Sequence, residues 1–175
     1  MKTSFLFETE RQVVRGVQSK DFDRFQALLT LKEVVEMVPH PPCSMEYVTQ
    51  RFNENIANDY TNWRSENSVA FAVLLKEEEE IAGLFLYMPR SNGRVGVVYK
   101  YLPEYWGNGL ATEVMQGALD FLSGFADIHE LSADAWIENG ASCKVLSKFM
   151  KPTKVFWNTD FYCWDQRYSI KNSSS

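Results

Sequence analysis

At 175 residues, 45% hydrophobic and 23% charged, the chain has the length and composition of one globular domain, not of a disordered, fibrous or membrane-spanning protein. A formal net charge of −5 and a pI near 5.1, with no basic stripe, argue against nucleic acid as the main partner and leave room for a cationic amine or basic peptide. Cys43, Cys143 and Cys163 are far apart and odd in number, and His40 and His129 are the only histidines. This is neither a disulfide framework nor a metal-ligand spacing, so a cytoplasmic protein without a metal is expected. Met1 to Thr9 has one lysine and no sustained apolar core, which predicts no secretory leader, and no apolar run approaches a membrane span.

In chain order, Ser4–Phe7 and Gln12–Arg15 read as a first extended region split by polar residues. Asp21 is the expected N-cap of a helix whose apolar face carries Phe22, Phe25, Leu28, Leu29 and Val35. The rigid Val38-Pro39-His40-Pro41-Pro42 segment stops it, and Ser44 opens a second helix with Met45, Val48, Phe52 and Ile56 inward. Val69–Leu75 and Ile81–Met88 predict a hairpin, with the charge run Lys76-Glu77-Glu78-Glu79-Glu80 as its solvated turn. After the turn Ser91-Asn92-Gly93, Val95–Leu102 supplies a third strand of an antiparallel meander, closed by Pro103. A helix over 110–125 comes next, then a strand at Glu130–Ile137 and a short helix opened by Asn139, which Pro152 ends. Val155–Trp157 and Phe161–Trp164 predict a final hairpin around Asn158-Thr159-Asp160. The expected architecture is an α/β domain over 1–171, with a mixed, largely antiparallel central sheet and helices on both faces, and a frayed tail at 172–175.

The chemistry concentrates at Tyr105-Trp106-Gly107-Asn108-Gly109-Leu110-Ala111-Thr112-Glu113, a glycine-rich turn between a strand and an amphipathic helix. Such a junction presents unpaired backbone N–H groups at the positive end of a helix dipole, an arrangement suited to phosphate. It lacks the Lys-Ser/Thr of a P-loop and the third glycine of a dinucleotide fingerprint. The turn by itself also admits a purely geometric reading, since Asn-Gly is a common turn dipeptide.

The chain as a whole resembles the GNAT superfamily of N-acetyltransferases, and within it the branch that acetylates ribosomal-protein N-termini. Thr9–Arg15 resembles that branch's opening strand. Pro103–Glu113 resembles its acyl-CoA pyrophosphate loop, and Asn139-Gly140-Ala141-Ser142 with Val145–Phe149 its Asn-x-x-Ser helix start. The resemblance implies a GNAT-like fold, acetyl-CoA as acyl donor and a primary amine as acceptor. Trp106, Gly107, Asn108, Gly109, Leu110, Ala111 and Thr112 would then hold the pyrophosphate, with Trp106 standing where the family motif usually has Gln or Arg. A backbone N–H near Leu102 would polarise the thioester carbonyl. Asn139 and Ser142 would contact the pantetheine arm, and Ser142 would act as general acid toward the departing thiolate. The base position of some relatives is broken here by Phe149-Met150-Lys151-Pro152, which leaves Asp134, Glu36, Glu104 and Asp160 as candidate proton acceptors. The branch implies a protein N-terminal α-amine as acceptor, attacked directly in a ternary complex. A polyamine or amino sugar is the alternative, and a non-catalytic acyl-CoA sensor is the reading from another class. A monomer or homodimer without nucleic acid or membrane partners is expected.

Overall fold

The computed structural model describes residues 5–38, 41–58, 60–65 and 67–173. Ser4 of the first expected strand, Pro39 and His40 of the proline loop, and Ser174–Ser175 of the tail lie outside them.

One eight-stranded sheet forms the centre. Its strands are β1 (Phe5–Glu8), β2 (Gln12–Gly16), β3 (Val69–Leu75), β4 (Gly83–Pro89), β5 (Arg94–Tyr101), β6 (Glu130–Trp136), β7 (Lys151–Asn158) and β8 (Cys163–Lys171), in spatial order β1-β2-β3-β4-β5-β6-β8-β7. All neighbours are antiparallel except β5 and β6, which run parallel. Period-2 alternation divides the side chains between two layers. Phe71, Val73, Phe85, Val95 and Val97 face α4 (Leu110–Ser123) and α5 (Gly140–Leu146). Ala70, Ala72, Leu84 and Leu102 face α1 (Phe22–Thr30) and α3 (Met45–Ala57), with the single turn α2 (Lys32–Val35) between those helices in sequence.

Four expectations are corrected. The first helix breaks at Leu31, which is extended (φ −62, ψ 127), and splits into α1 and α2. Val34 and Val35 are both buried after the break. Asp21 stands at the start of α1 without capping it; its carboxylate turns back onto the Arg15 guanidinium (2.7 and 3.0 Å) and the Gln18 N–H (2.8 Å). The final hairpin is far longer than expected, and Pro152 lies inside edge strand β7, at a bulge, where a missing N–H is tolerated. Lastly, Asn172 is not frayed. Its Nδ2 donates to the carbonyls of Ser123, Phe125 and Ile128.

Candidate active site

The β5–α4 connection is shaped residue by residue. Pro103–Tyr105 makes one 3-10 turn, and the Trp106 indole N–H then donates to the Tyr101 carbonyl at 2.8 Å, pinning the loop to the strand it leaves. Gly107 and Gly109 are both left-handed, with φ of +77° and +75°. A Cβ on Gly107 would meet nothing within 4 Å, so there glycine serves backbone conformation and not clearance. Gly109 caps α4, and the first helical hydrogen bond runs from the Glu113 N–H to the Gly109 carbonyl at 3.1 Å. The N–H groups of Leu110, Ala111 and Thr112 therefore have no intrahelical partner.

Side chains from the first hairpin hold this turn in place. Arg11 donates to the Asn108 carbonyl (3.0 Å), and its guanidinium and backbone N–H grip the Glu113 carboxylate (2.6 and 2.8 Å), which also accepts from Thr9. Burial opposes ionisation of Glu113, and these hydrogen bonds outweigh it, holding the carboxyl below its ordinary range. Gln12, fully buried, donates to the Leu110 carbonyl (3.1 Å) and accepts from the Tyr101 hydroxyl (2.5 Å). Removing the Arg11 clamp frees the loop to sample other conformations. Arg11→Ala is expected to weaken coenzyme A binding about tenfold in a calorimetric titration, the scale of one charge-assisted hydrogen bond.

The turn opens onto a cleft of about 520 Å³. Its origin is the single parallel pairing, which ends at Gly96↔Ser132, beyond which β5 and β6 part. Trp106, Gly107, Gly109, Leu110, Ala111 and Thr112 line one end, and Asn139 and Ser142 line the wall contributed by α5. Asn139 does two things at once. Its Oδ1 caps α5 by accepting from the Ser142 N–H (3.1 Å), and its Nδ2 donates to the Met37 carbonyl (2.8 Å), tying α5 to the segment after α2. The Ser142 hydroxyl lies 3.1 Å from the Tyr99 hydroxyl. Burial pushes the Tyr99 phenol above its ordinary value, and the Ser142 hydrogen bond only partly offsets this, so the phenol keeps its proton at neutral pH.

Two of the expected site residues are elsewhere. Leu102 packs in the core beneath α1 and α3, and its N–H is spent on the Ala82 carbonyl at 3.0 Å. With Arg90 and Arg94 bonded in the same phase across β4 and β5, it is the N–H groups of Tyr99 and Tyr101 that point away from β4 toward the gap. Asn108 does not line the cleft; its carbonyl faces Arg11. The four candidate carboxylates are also outside it. Asp134 accepts both guanidinium N–H groups of Arg167 (2.7 and 2.8 Å), with Arg90 at 3.6 Å. Glu36 pairs with Lys32, Glu104 pairs with Arg24, and Asp160 sits exposed in the last hairpin turn. Among the described residues, no aspartate or glutamate lines the cleft, whereas Lys100, Lys144 and Lys148 do.

Tyr99 and these lysines are the residues that sequence reasoning missed. Lys144 and Lys148 carry a usable signal, an i,i+4 pair just after the Asn139 cap; Tyr99 and Lys100 carry none beyond lying in a strand. Among the described residues no three His, Cys, Asp or Glu side chains cluster as metal ligands would, and no helix is long and apolar enough to cross a membrane.

A strand that parts from its parallel neighbour, a left-handed glycine turn at a helix start and a capped helix on the opposite wall together define an acyl-CoA-binding fold. The acetyltransferase (GNAT) domain profile matches residues 11–149, and the chain belongs to that family. It is an acetyl-CoA-dependent acetyltransferase of amines. An uncharacterized N-acetyltransferase of Bacillus licheniformis is 26% identical over 141 residues, covering 79% of this chain and 78% of the relative. A GNAT-family acetyltransferase from Bacillus anthracis superposes with a TM-score of 0.79 at 21% identity, over 96% of this chain and 98% of that one. The ribosomal α-N-protein acetyltransferase RimL, solved with coenzyme A, also gives 0.79, at 13% identity over 98% and 99% of the two chains.

Proposed function

We propose that this enzyme acetylates the α-amine of a polypeptide N-terminus, by direct attack on acetyl-CoA in a ternary complex. The observation that carries the reading is the cleft lining, which holds three lysines and, among the described residues, no carboxylate. An α-amine has a pKa near 8, so about a quarter of it is neutral around pH 7.5; a lysine-type amine near 10.4 is neutral in only about one molecule in a thousand. An acceptor of the first kind can shed its proton to water. A polyamine needs a carboxylate both to deprotonate the amine and to balance its other cations, and the lining supplies neither.

The residues divide the work by position. Amides of Leu110, Ala111 and Thr112 suit the pyrophosphate, with Lys144 and Lys148 adding positive charge beside them. Tyr99 and Tyr101 replace Leu102 as the backbone donors that face a thioester carbonyl in the gap. As the amine nitrogen bonds to the carbonyl carbon and the C–S bond breaks, the hydrogen-bonded Tyr99–Ser142 pair delivers a proton to the departing thiolate, the nitrogen sheds one proton to water in becoming an amide, and water returns a proton to the pair. The three described cysteines are free, in keeping with a reducing cytoplasm.

The test measures thiol release with peptide α-amines and polyamines side by side. Peptide turnover exceeding polyamine turnover by about a hundredfold is expected, on the order of the difference in neutral amine. Tyr99→Phe is expected to lower kcat about a hundredfold, at the low end for a lost proton donor, with acetyl-CoA affinity little changed. Preferential polyamine turnover would overturn the acceptor assignment.

A further inference from the structure

Lys100 differs from the other partly enclosed cations of the molecule. Arg15 is matched by Asp21, Arg24 by Glu80 and Glu104, and Arg167 by Asp134. Lys100 is half-buried and lines the cleft, yet its ammonium has no hydrogen-bond or ion-pair partner among the described residues. The group electrostatically coupled to it is the Cys43 thiol, not a carboxylate.

Its position assigns it to the acceptor and not to the coenzyme. Lys100 lies opposite Leu84 across β4 and β5, one residue on from Tyr99, so alternation sends its side chain to the α1–α3 face. Tyr99 and the Ser142 hydroxyl that it meets are on the α4–α5 side, as are Lys144 and Lys148. Val34 of α2, and Met37 and Val38 just beyond that turn, line the same cleft.

We propose that Lys100 selects polypeptide acceptors that carry a carboxylate side chain close to the reacting N-terminus. This rests on the α-amine reading above and adds to it the character of the acceptor's first residues. An ammonium held in a confined, mostly apolar place without a counter-charge is costly, and an anion arriving with the substrate removes that cost. Burial already draws the Lys100 ammonium below the ordinary lysine range, the direction expected of a cation lacking its partner. The same charge repels an acceptor that brings further cations.

Three amidated peptides identical except at the second residue, which is aspartate, asparagine or lysine, test this by their kcat/KM values with acetyl-CoA. The wild-type enzyme is expected to favour aspartate over asparagine by about tenfold, the scale of a charge-assisted hydrogen bond, and to place lysine last. In Lys100→Met the aspartate-to-asparagine ratio should fall to about one, and in Lys100→Arg it should persist. A calorimetric titration of acetyl-CoA verifies that both variants are folded. Equal turnover of the aspartate and asparagine peptides by wild type, or an undiminished ratio in Lys100→Met, overturns the role of Lys100 alone. Turnover confined to polyamines overturns the α-amine reading and this proposal with it.

Discussion

Gly109→Glu is expected to abolish useful coenzyme A binding. Two effects act together and can be separated. Gly109 sits at φ +75°, where any side chain costs about 1–2 kcal/mol of backbone strain. The new side chain would set out toward the Arg11 guanidinium, 3.7 Å from its Cβ, and bring a carboxylate beside the α4 N-terminus, close to where the phosphates belong. Two like charges about 4 Å apart repel by roughly 4 kcal/mol at the effective dielectric of a protein surface. That corresponds to about a thousandfold loss of affinity. Gly109→Ala carries the strain without the charge and should retain affinity within about tenfold of wild type. Calorimetric titration of both variants distinguishes the two effects. An unaltered affinity in the glutamate variant would remove the phosphate role from this loop.

The largest loss of stability is expected from Asp21→Ala. The Arg15–Asp21 pair is almost fully enclosed, with side-chain exposures of 7% and 2%. Deleting the carboxylate strands the Arg15 guanidinium and leaves the Gln18 N–H without its acceptor. Breaking such a pair by removing one partner costs about 3–5 kcal/mol, against a total stability of roughly 5–15 kcal/mol for a domain. The melting temperature should fall by roughly 10 °C. The double variant Arg15→Met with Asp21→Leu replaces both charges by apolar groups and should recover most of the loss. A thermal melt in which Asp21→Ala matches wild type would show that the ion pair contributes nothing net.

The glycine turn was legible because its signals are local. Two glycines between an apolar strand and a helical repeat require backbone that only glycine readily adopts, and Gly107 and Gly109 both adopt it. Asn139 was legible for the same reason, as a cap three residues before the N–H that it accepts. What failed depends on pairing across the sheet. The extent of β5 could be read, but the choice between the Leu102 amide and its neighbours needs the phase of hydrogen bonding to β4. A shift of one residue reverses the direction of every amide. Asp134 looked available because its partner Arg167 lies on β8, whose charged residues disguised a strand. Asp21 has the right residue type for a cap, yet Arg15, six positions earlier, claims its carboxylate. The break at Leu31 likewise left no sign in the helical periodicity over 21–35.

Past the short parallel seam with β6, β5 keeps one partner strand, β4, to which it stays paired as far as Tyr101. Pairing with β6 stops at Gly96, and about 17 Å of strand extends from there to Tyr101. A tilt of only about 3° of β4 and β5 together would move that end by about 1 Å. On that stretch ride Tyr99, the Tyr101 amide and the anchor of Trp106. Misplacing reacting groups by such a distance can cost about a hundredfold in rate. The β4 ladder that holds this stretch thus bears on turnover from a distance. Residues that touch neither substrate can in this way set the bore of the cleft.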